Sequence, residues 1–192
     1  MVDWQAEFIR ASSTPSDIQG HVALLADLAE QSPRGVVELG VRSGVSTRAL
    51  IAGLARHAGD PKPPLWSYDI RSAPPILAEI ARAAGVPWEF RQADTRQTPP
   101  CPDCDLLFID TLHTAEQLSA ELELHAPQAH RWMALHDTVT FGERGERPNT
   151  AGLTAGLARF LATHAEWAVA ESFVHSHGLT VLQRSAARRE RR

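Results

Sequence analysis

Residues 36–44 read VVELGVRSG: an apolar strand run with one acid, then two glycines with three residues between them, opening straight into the helical pattern VSTRALIAGLARHA. A strand, a tight turn and a helix in immediate succession commit the chain to a βα unit. A ligand that approaches the main chain just past a strand end needs side chains to vanish and helix N-terminal amides to be free. Gly40 and Gly44 meet the first need, and Ser46 and Thr47 stand in the helix's first turn. The segment therefore reads as a loop for a nucleotide-like cofactor. It lacks the G-x-G-x-x-G triplet of dinucleotide sites.

The rest of the chain repeats the same order. Two amphipathic helices come first, one with Trp4, Phe8 and Ile9 on a face, the other lined by Val22, Leu24, Leu25 and Leu28 and ended by Ser32-Pro33. From residue 35 the pattern gives strand GVVELG, helix 45–58, strand LWSYDI, helix 75–84, strands WEFRQAD and CDLLFID, helix 114–126 and strand RWMALHD. Alternating strands and helices imply right-handed crossovers and a parallel sheet. VVELG and DLLFID are apolar throughout, as expected of strands covered on both faces. A glycine- and charge-rich stretch, TFGERGERPNTAG, precedes a further helix, and a loop that long is usually functional or mobile. WAVAESFV, a turn at His175-Ser176-His177-Gly178, and LTVLQR form a closing hairpin. The expected fold is α/β: a Rossmann-like, doubly wound, mainly parallel seven-stranded sheet with an antiparallel C-terminal hairpin and N-terminal capping helices. Residues 1–33 are read as a cap of the same domain, 34–185 as the core and 186–192 as a basic tail.

In such sheets ligands bind beyond the carboxyl ends of the strands, near the switch in strand order. Glu38, Asp69, Asp94, Asp110 and Asp137 all stand at or near those ends. A lone strand-end Asp is commonly a turn former, but five on one edge point to a site. A carboxylate at Asp69, one βα unit past the glycine loop, suits two ribose hydroxyls; at Asp94, with Thr95 beside it, a carboxylate suits an adenine amino group.

With Glu38, Gly40, Gly44, Asp69 and Asp94 in register, residues 35–185 resemble the class I S-adenosylmethionine (SAM) methyltransferases and their E-x-G-x-x-x-G loop. FIDTLHTAEQ followed by RWMALHDTVTFG resembles the metal-dependent O-methyltransferases of the catechol and macrolide-sugar (macrocin-like) types. That resemblance implies Mg²⁺ or another divalent ion at Asp110, His136 and Asp137, with His113, three residues after Asp110, as the base. The chemistry is coherent: a hydroxyl is a weak nucleophile until an ion lowers its pKa and a base takes its proton. His136 departs from the catechol type, which has a carboxylate there, and this softens the site toward Mn²⁺, Zn²⁺ or no metal. His57, His125, His130 and His164 fall at helix ends or on solvated faces and are given no role. Trp88, Trp132 and Trp167 read as core.

Composition narrows the alternatives. A net charge of −4 over 192 residues gives no broad basic field for duplex nucleic acid. No apolar run approaches a membrane span, and MVDWQAEFIR lacks a signal peptide's order, so a cytoplasmic location is expected. The basic ending RSAARRERR reads as a solvated tail. Cys101 and Cys104 are the two cysteines; without a second pair they make no structural zinc site and read as a proline-rich turn entering a strand. Trp4 and Phe8 suit a lid over the small-molecule acceptor or a homodimer contact equally. Two rivals remain at this stage. One is a metal-dependent hydrolase using Asp110, His113, His136 and Asp137, which leaves the glycine loop and Asp69 unexplained; the other is a non-catalytic SAM-binding protein.

Overall fold

The computed structural model describes residues 2–185, so the basic tail at 186–192 lies outside the described residues. The N-terminal helices are α1 (Trp4–Ser13), started by Asp3, whose carboxylate accepts from the Gln5 and Ala6 N–H groups, and α2 (Val22–Glu30). There follow β1 (Val36–Leu39), α3 (Val45–Arg56), β2 (Leu65–Asp69), α4 (Ile76–Ala83), β3 (Trp88–Gln92), β4 (Cys104–Ile109), α5 (Ala115–His125) and β5 (Ala129–His136). The chain closes with α6 (Leu153–Thr163) and the hairpin β6 (Trp167–Phe173) and β7 (Leu179–Arg184).

The seven strands form one sheet in the order β3-β2-β1-β4-β5-β7-β6. β1 to β5 are parallel, whereas β7 runs antiparallel to both β5 and β6. The direction of travel reverses between β1 and β4, so the carboxyl ends of these two strands flank the crevice where such sheets bind ligands. β1 and β4 are buried along their whole lengths, which is why both read as unbroken apolar runs.

Two cores lie on opposite faces. One joins α2 and α3 to the sheet through Leu25, Leu50, Leu54, Leu106 and Ala134; the other joins α5 and α6 to it through Leu118, Leu122, Phe160, Leu107 and Met133. α3 is wedged between the sheet and α2, so Ala49 through Ala52 are all buried rather than one stripe alone. Gly53 permits that crossing: a Cβ there would stand 2.1 Å from the Ala26 carbonyl oxygen. One crossover departs from the pattern. Residues 93–103 lead from the sheet edge at β3 to its centre at β4 with no helix between them. Among the described residues no helix is long and apolar enough to cross a membrane.

Candidate active site

The glycine loop is built by carboxylates that its own chain fills. Gly40 has φ 96° and lies so close to the end of β4 that a Cβ would stand 1.9 Å from the Asp110 carbonyl oxygen. Gly44, φ 75°, caps α3, and a Cβ there would press on Leu77 at 2.7 Å. Asp69 braces the loop between them. Its Oδ2 accepts the Val41 and Arg42 N–H groups at 2.8 and 2.9 Å, and its Oδ1 accepts the Arg71 N–H at 2.8 Å. Three of about four carboxylate lone-pair positions are thereby used.

Glu38 lies beneath this loop, fully buried. Ser46 donates to its Oε1 at 2.6 Å, and Thr47 and Ser67 donate to its Oε2 at 2.9 and 2.7 Å, so one carboxylate ties β1 to β2 and to the first turn of α3. Burial pushes its pKa up to about 7, against the pull of the three hydroxyls.

A cavity of about 450 Å³ opens over these strand ends. That is within the range of small-molecule sites, roughly 300–1,000 Å³. Gly40, Tyr68, Asp69 and Ile70 line one side, Asp94, Thr95 and Gln117 another, and Asp110 and His113 the end nearest β4. Asp94 is held on the rim by Arg96 (2.8 Å) and Gln97 (3.0 Å), and the Arg96 hydrogen bonds lower its pKa to about 2. It forms its own turn as much as it faces the cavity.

The β4–β5 side has a different character, because its ionisable groups face one another. His113 Nε2 lies 3.1 Å from Asp110 Oδ1 and 3.0 Å from Asp137 Oδ2, and its Nδ1 lies 3.0 Å from Glu146 Oε2. The ring stacks on Phe141, with centroids 4.9 Å apart and planes 5° from parallel. The 138–150 loop thus supplies both the stacking partner and the carboxylate for Nδ1. Burial alone would lower the His113 pKa, but Asp110, Asp137 and Glu146 together hold it above the ordinary value. His136 presents Nδ1 to Asp110 and Asp137, both at 3.3 Å, and Nε2 to the Ser176 carbonyl at 3.1 Å. Both ring nitrogens face acceptors. Against the effect of burial, the two carboxylates therefore raise its pKa to about 10, which makes it an imidazolium. Asp110, bonded by both rings, stays ionised far below the usual carboxylate range despite its burial.

Asp137 adopts φ 61°, a left-handed conformation that costs a non-glycine residue strain energy. Its Oδ1 is buried without a well-directed hydrogen bond; His177 Nδ1 stands 3.3 Å away but is engaged by Thr140 Oγ1 at 3.0 Å. One ligand atom from each of Asp110, His113 and Asp137 lies within 4.8 Å of the other two. Two carboxylates, one of them with an orphaned buried oxygen, and an imidazole fit the divalent ion that the resemblance implies.

Residues 37–138, more than half of the chain, match a family described as a methyltransferase domain. The chain belongs to that methyltransferase family. Its fold is similar to that of a Corynebacterium glutamicum protein (17% identity, TM-score 0.63, covering 96% of this chain and 91% of that one). It is similar also to the O-methyltransferase TomG from Streptomyces achromogenes, solved with SAM (19%, 0.58, 97% and 91%). A third likeness is to an O-methyltransferase from Bacillus cereus in complex with SAH (19%, 0.56, 96% and 92%). At these identities the likeness is one of fold. No curated protein sequence matches the chain.

Several expectations for this methyltransferase need correction. Gly40, Asp69, Asp94, Thr95, Asp110 and His113 line the cavity, but Glu38, Gly44, Ser46 and Thr47 do not. Gly44 packs on Leu77, and the other three are buried and bonded to one another. They hold the loop's shape without reaching into the cavity. The converging ligand group is Asp110, His113 and Asp137, without the expected His136, although His136 Nδ1 also lies 3.3 Å from both carboxylates. His125 is neither solvated nor idle: it is fully buried and bonded at both nitrogens. Sequence reasoning missed Glu146, Phe141 and Gln117. The long charged loop signalled the first two, and only the third dimension places Gln117.

Proposed function

We propose that this methyltransferase uses SAM to methylate a hydroxyl of a small molecule, aided by a divalent ion, with His113 as the base. The observation that carries the reading is the convergence, at the sheet's switch point, of one cavity wall built on Gly40 and Asp69 with another bearing Asp110 and His113. Two proteins of similar fold are O-methyltransferases solved with SAM or its product S-adenosylhomocysteine (SAH), which supports both the cofactor and the hydroxyl acceptor.

Asp110 and Asp137 would hold the ion, whose contribution is to lower the pKa of the acceptor hydroxyl. Glu146 accepts from His113 Nδ1–H; Nε2 faces the Asp110 and Asp137 oxygens at 3.1 and 3.0 Å, and with those oxygens turned to an ion its lone pair would be open to the acceptor. Nε2 then takes the hydroxyl proton as the acceptor oxygen bonds to the methyl carbon and the sulfur–methyl bond breaks. Phe141 and Glu146 hold the ring, so the base is oriented before the acceptor arrives.

The test is calorimetric titration of SAH into the protein with and without Mg²⁺, beside Asp69→Ala checked for folding by circular dichroism. Micromolar binding, independent of Mg²⁺ and lost in Asp69→Ala, is expected. Absence of heat at several temperatures, together with no thermal shift, would remove SAM from the reading and favour a metal-dependent hydrolase.

A further inference from the structure

Helix α5 carries on its buried side a row that an apolar core does not call for: Gln117, Glu121 and His125, four residues apart and 6%, 0% and 0% exposed. Buried polar groups require partners, and these three share one, the helix-free crossover at 93–103. Gln117 Nε2 donates to Glu121 Oε1 at 2.8 Å and to Thr95 Oγ1 at 3.3 Å. Glu121 accepts from Thr95 Oγ1 at Oε1 and, at 2.8 Å, from Thr111 Oγ1 at Oε2. His125 accepts the Cys101 N–H at Nδ1 (3.1 Å). Its proton is therefore on Nε2, which donates to the Thr95 carbonyl at 2.8 Å.

Both the side chain and the main chain of Thr95 are thus gripped from α5, and Thr95 lines the cavity whereas Glu121 and His125 do not. A segment without secondary structure has no ladder to fix it, so these bonds decide where that wall stands. With the hydroxyl turned into Glu121, what Thr95 presents is its methyl and its main chain, a surface for a planar, weakly polar group. We propose that Glu121 and His125 are positioning residues that set the Thr95 wall for the purine base of the nucleoside cofactor. The inference rests on the reading that the cavity takes SAM.

The test is a cycle of Glu121→Gln, Thr95→Val and the double variant, with Thr95→Ser as the conservative control. SAH and adenosine, which share the base, are titrated into each, and melting temperature is recorded. Glu121→Gln and Thr95→Val are each expected to weaken both ligands by about tenfold, the size of one perturbed buried hydrogen bond. The double variant should be little weaker than the weaker single, because both act on one bond: Thr95→Val removes its donor, and Glu121→Gln replaces its carboxylate acceptor with an amide that also brings an N–H donor. Thr95→Ser should stay within about threefold of the parent, since it keeps the donor. Parent-like affinity in Glu121→Gln, or single effects that multiply in the double variant, overturns the inference while leaving the cavity's role intact. A parent that binds neither ligand overturns the SAM reading and the inference with it. Should Glu121→Gln fail to fold, Thr95→Val decides alone, and unchanged affinity there overturns the inference.

Discussion

The two halves of the carboxyl edge use the same residue type in opposite ways. On the β1–β2 side, Glu38 and Asp69 are filled by their own chain: three hydroxyls on one, three backbone N–H groups on the other. On the β4–β5 side, Asp110 and Asp137 face two imidazoles and each other, and one Asp137 oxygen has no directed partner. A carboxylate whose lone pairs are spent shapes a loop; one that faces imidazoles and keeps an oxygen without a directed partner tunes those rings and can take up an ion. The difference separates scaffold from chemistry more cleanly than position on the strand does.

The largest effect that sharpens this contrast belongs on the β4–β5 side. His113→Ala should lower turnover on an accepted substrate by about 10²–10⁴-fold, the range of a lost general base, while SAH affinity holds. Turnover within a factor of a few of the parent would remove the base assignment. The counterpart on the β1–β2 side should appear as stability. Glu38→Leu leaves the Ser46, Thr47 and Ser67 hydroxyls buried without their acceptor, at about 1–3 kcal/mol for an unsatisfied group, and is expected to lose at least about 3 kcal/mol in denaturant unfolding. A Glu38→Leu protein as stable as the parent, yet unable to bind SAH, would put Glu38 back in the site. Asp69→Asn should fall between, since it keeps one acceptor oxygen and opposes an amide to backbone N–H groups. About 1–2 kcal/mol of loop stability should go, read as weakened SAH binding with little change in melting temperature.

The strands and helices were legible because their runs are unbroken. VVELG and DLLFID are buried along their lengths, the Gly40 and Gly44 turns need positive φ, and 175–178 supplies the hairpin turn. The direction in which each acid points was not legible. In strands covered on both faces no polar alternation reveals that Glu38 turns inward, toward partners 8, 9 and 29 residues away. His136 and Asp137 are adjacent, and neighbours along a strand point to opposite faces. Only the left-handed turn at Asp137, unusual for a non-glycine, brings both toward Asp110. His125 sits at a helix end, which suggested solvent; the telling signal was the spacing of Gln117, Glu121 and His125, three polar residues on one face.

The smallest effect tests the β4–β5 side most finely. Glu146 is half exposed, 3.0 Å from His113 Nδ1, and its negative charge favours the imidazolium. A base must be neutral, so activity should be full above the raised His113 pKa and fall as pH drops through it. Glu146→Gln keeps an oxygen to accept from Nδ1–H but removes the charge, which lowers that pKa. The acidic limb of kcat/KM should therefore move to lower pH with the plateau nearly unchanged, and the variant should outperform the parent on the acid side. Since Glu146 is exposed, added salt should shrink the difference between the two proteins. A limb that stays in place, or moves to higher pH, would mean that the titration seen in turnover belongs to another group, and the contrast between the two halves would lose its chemical side.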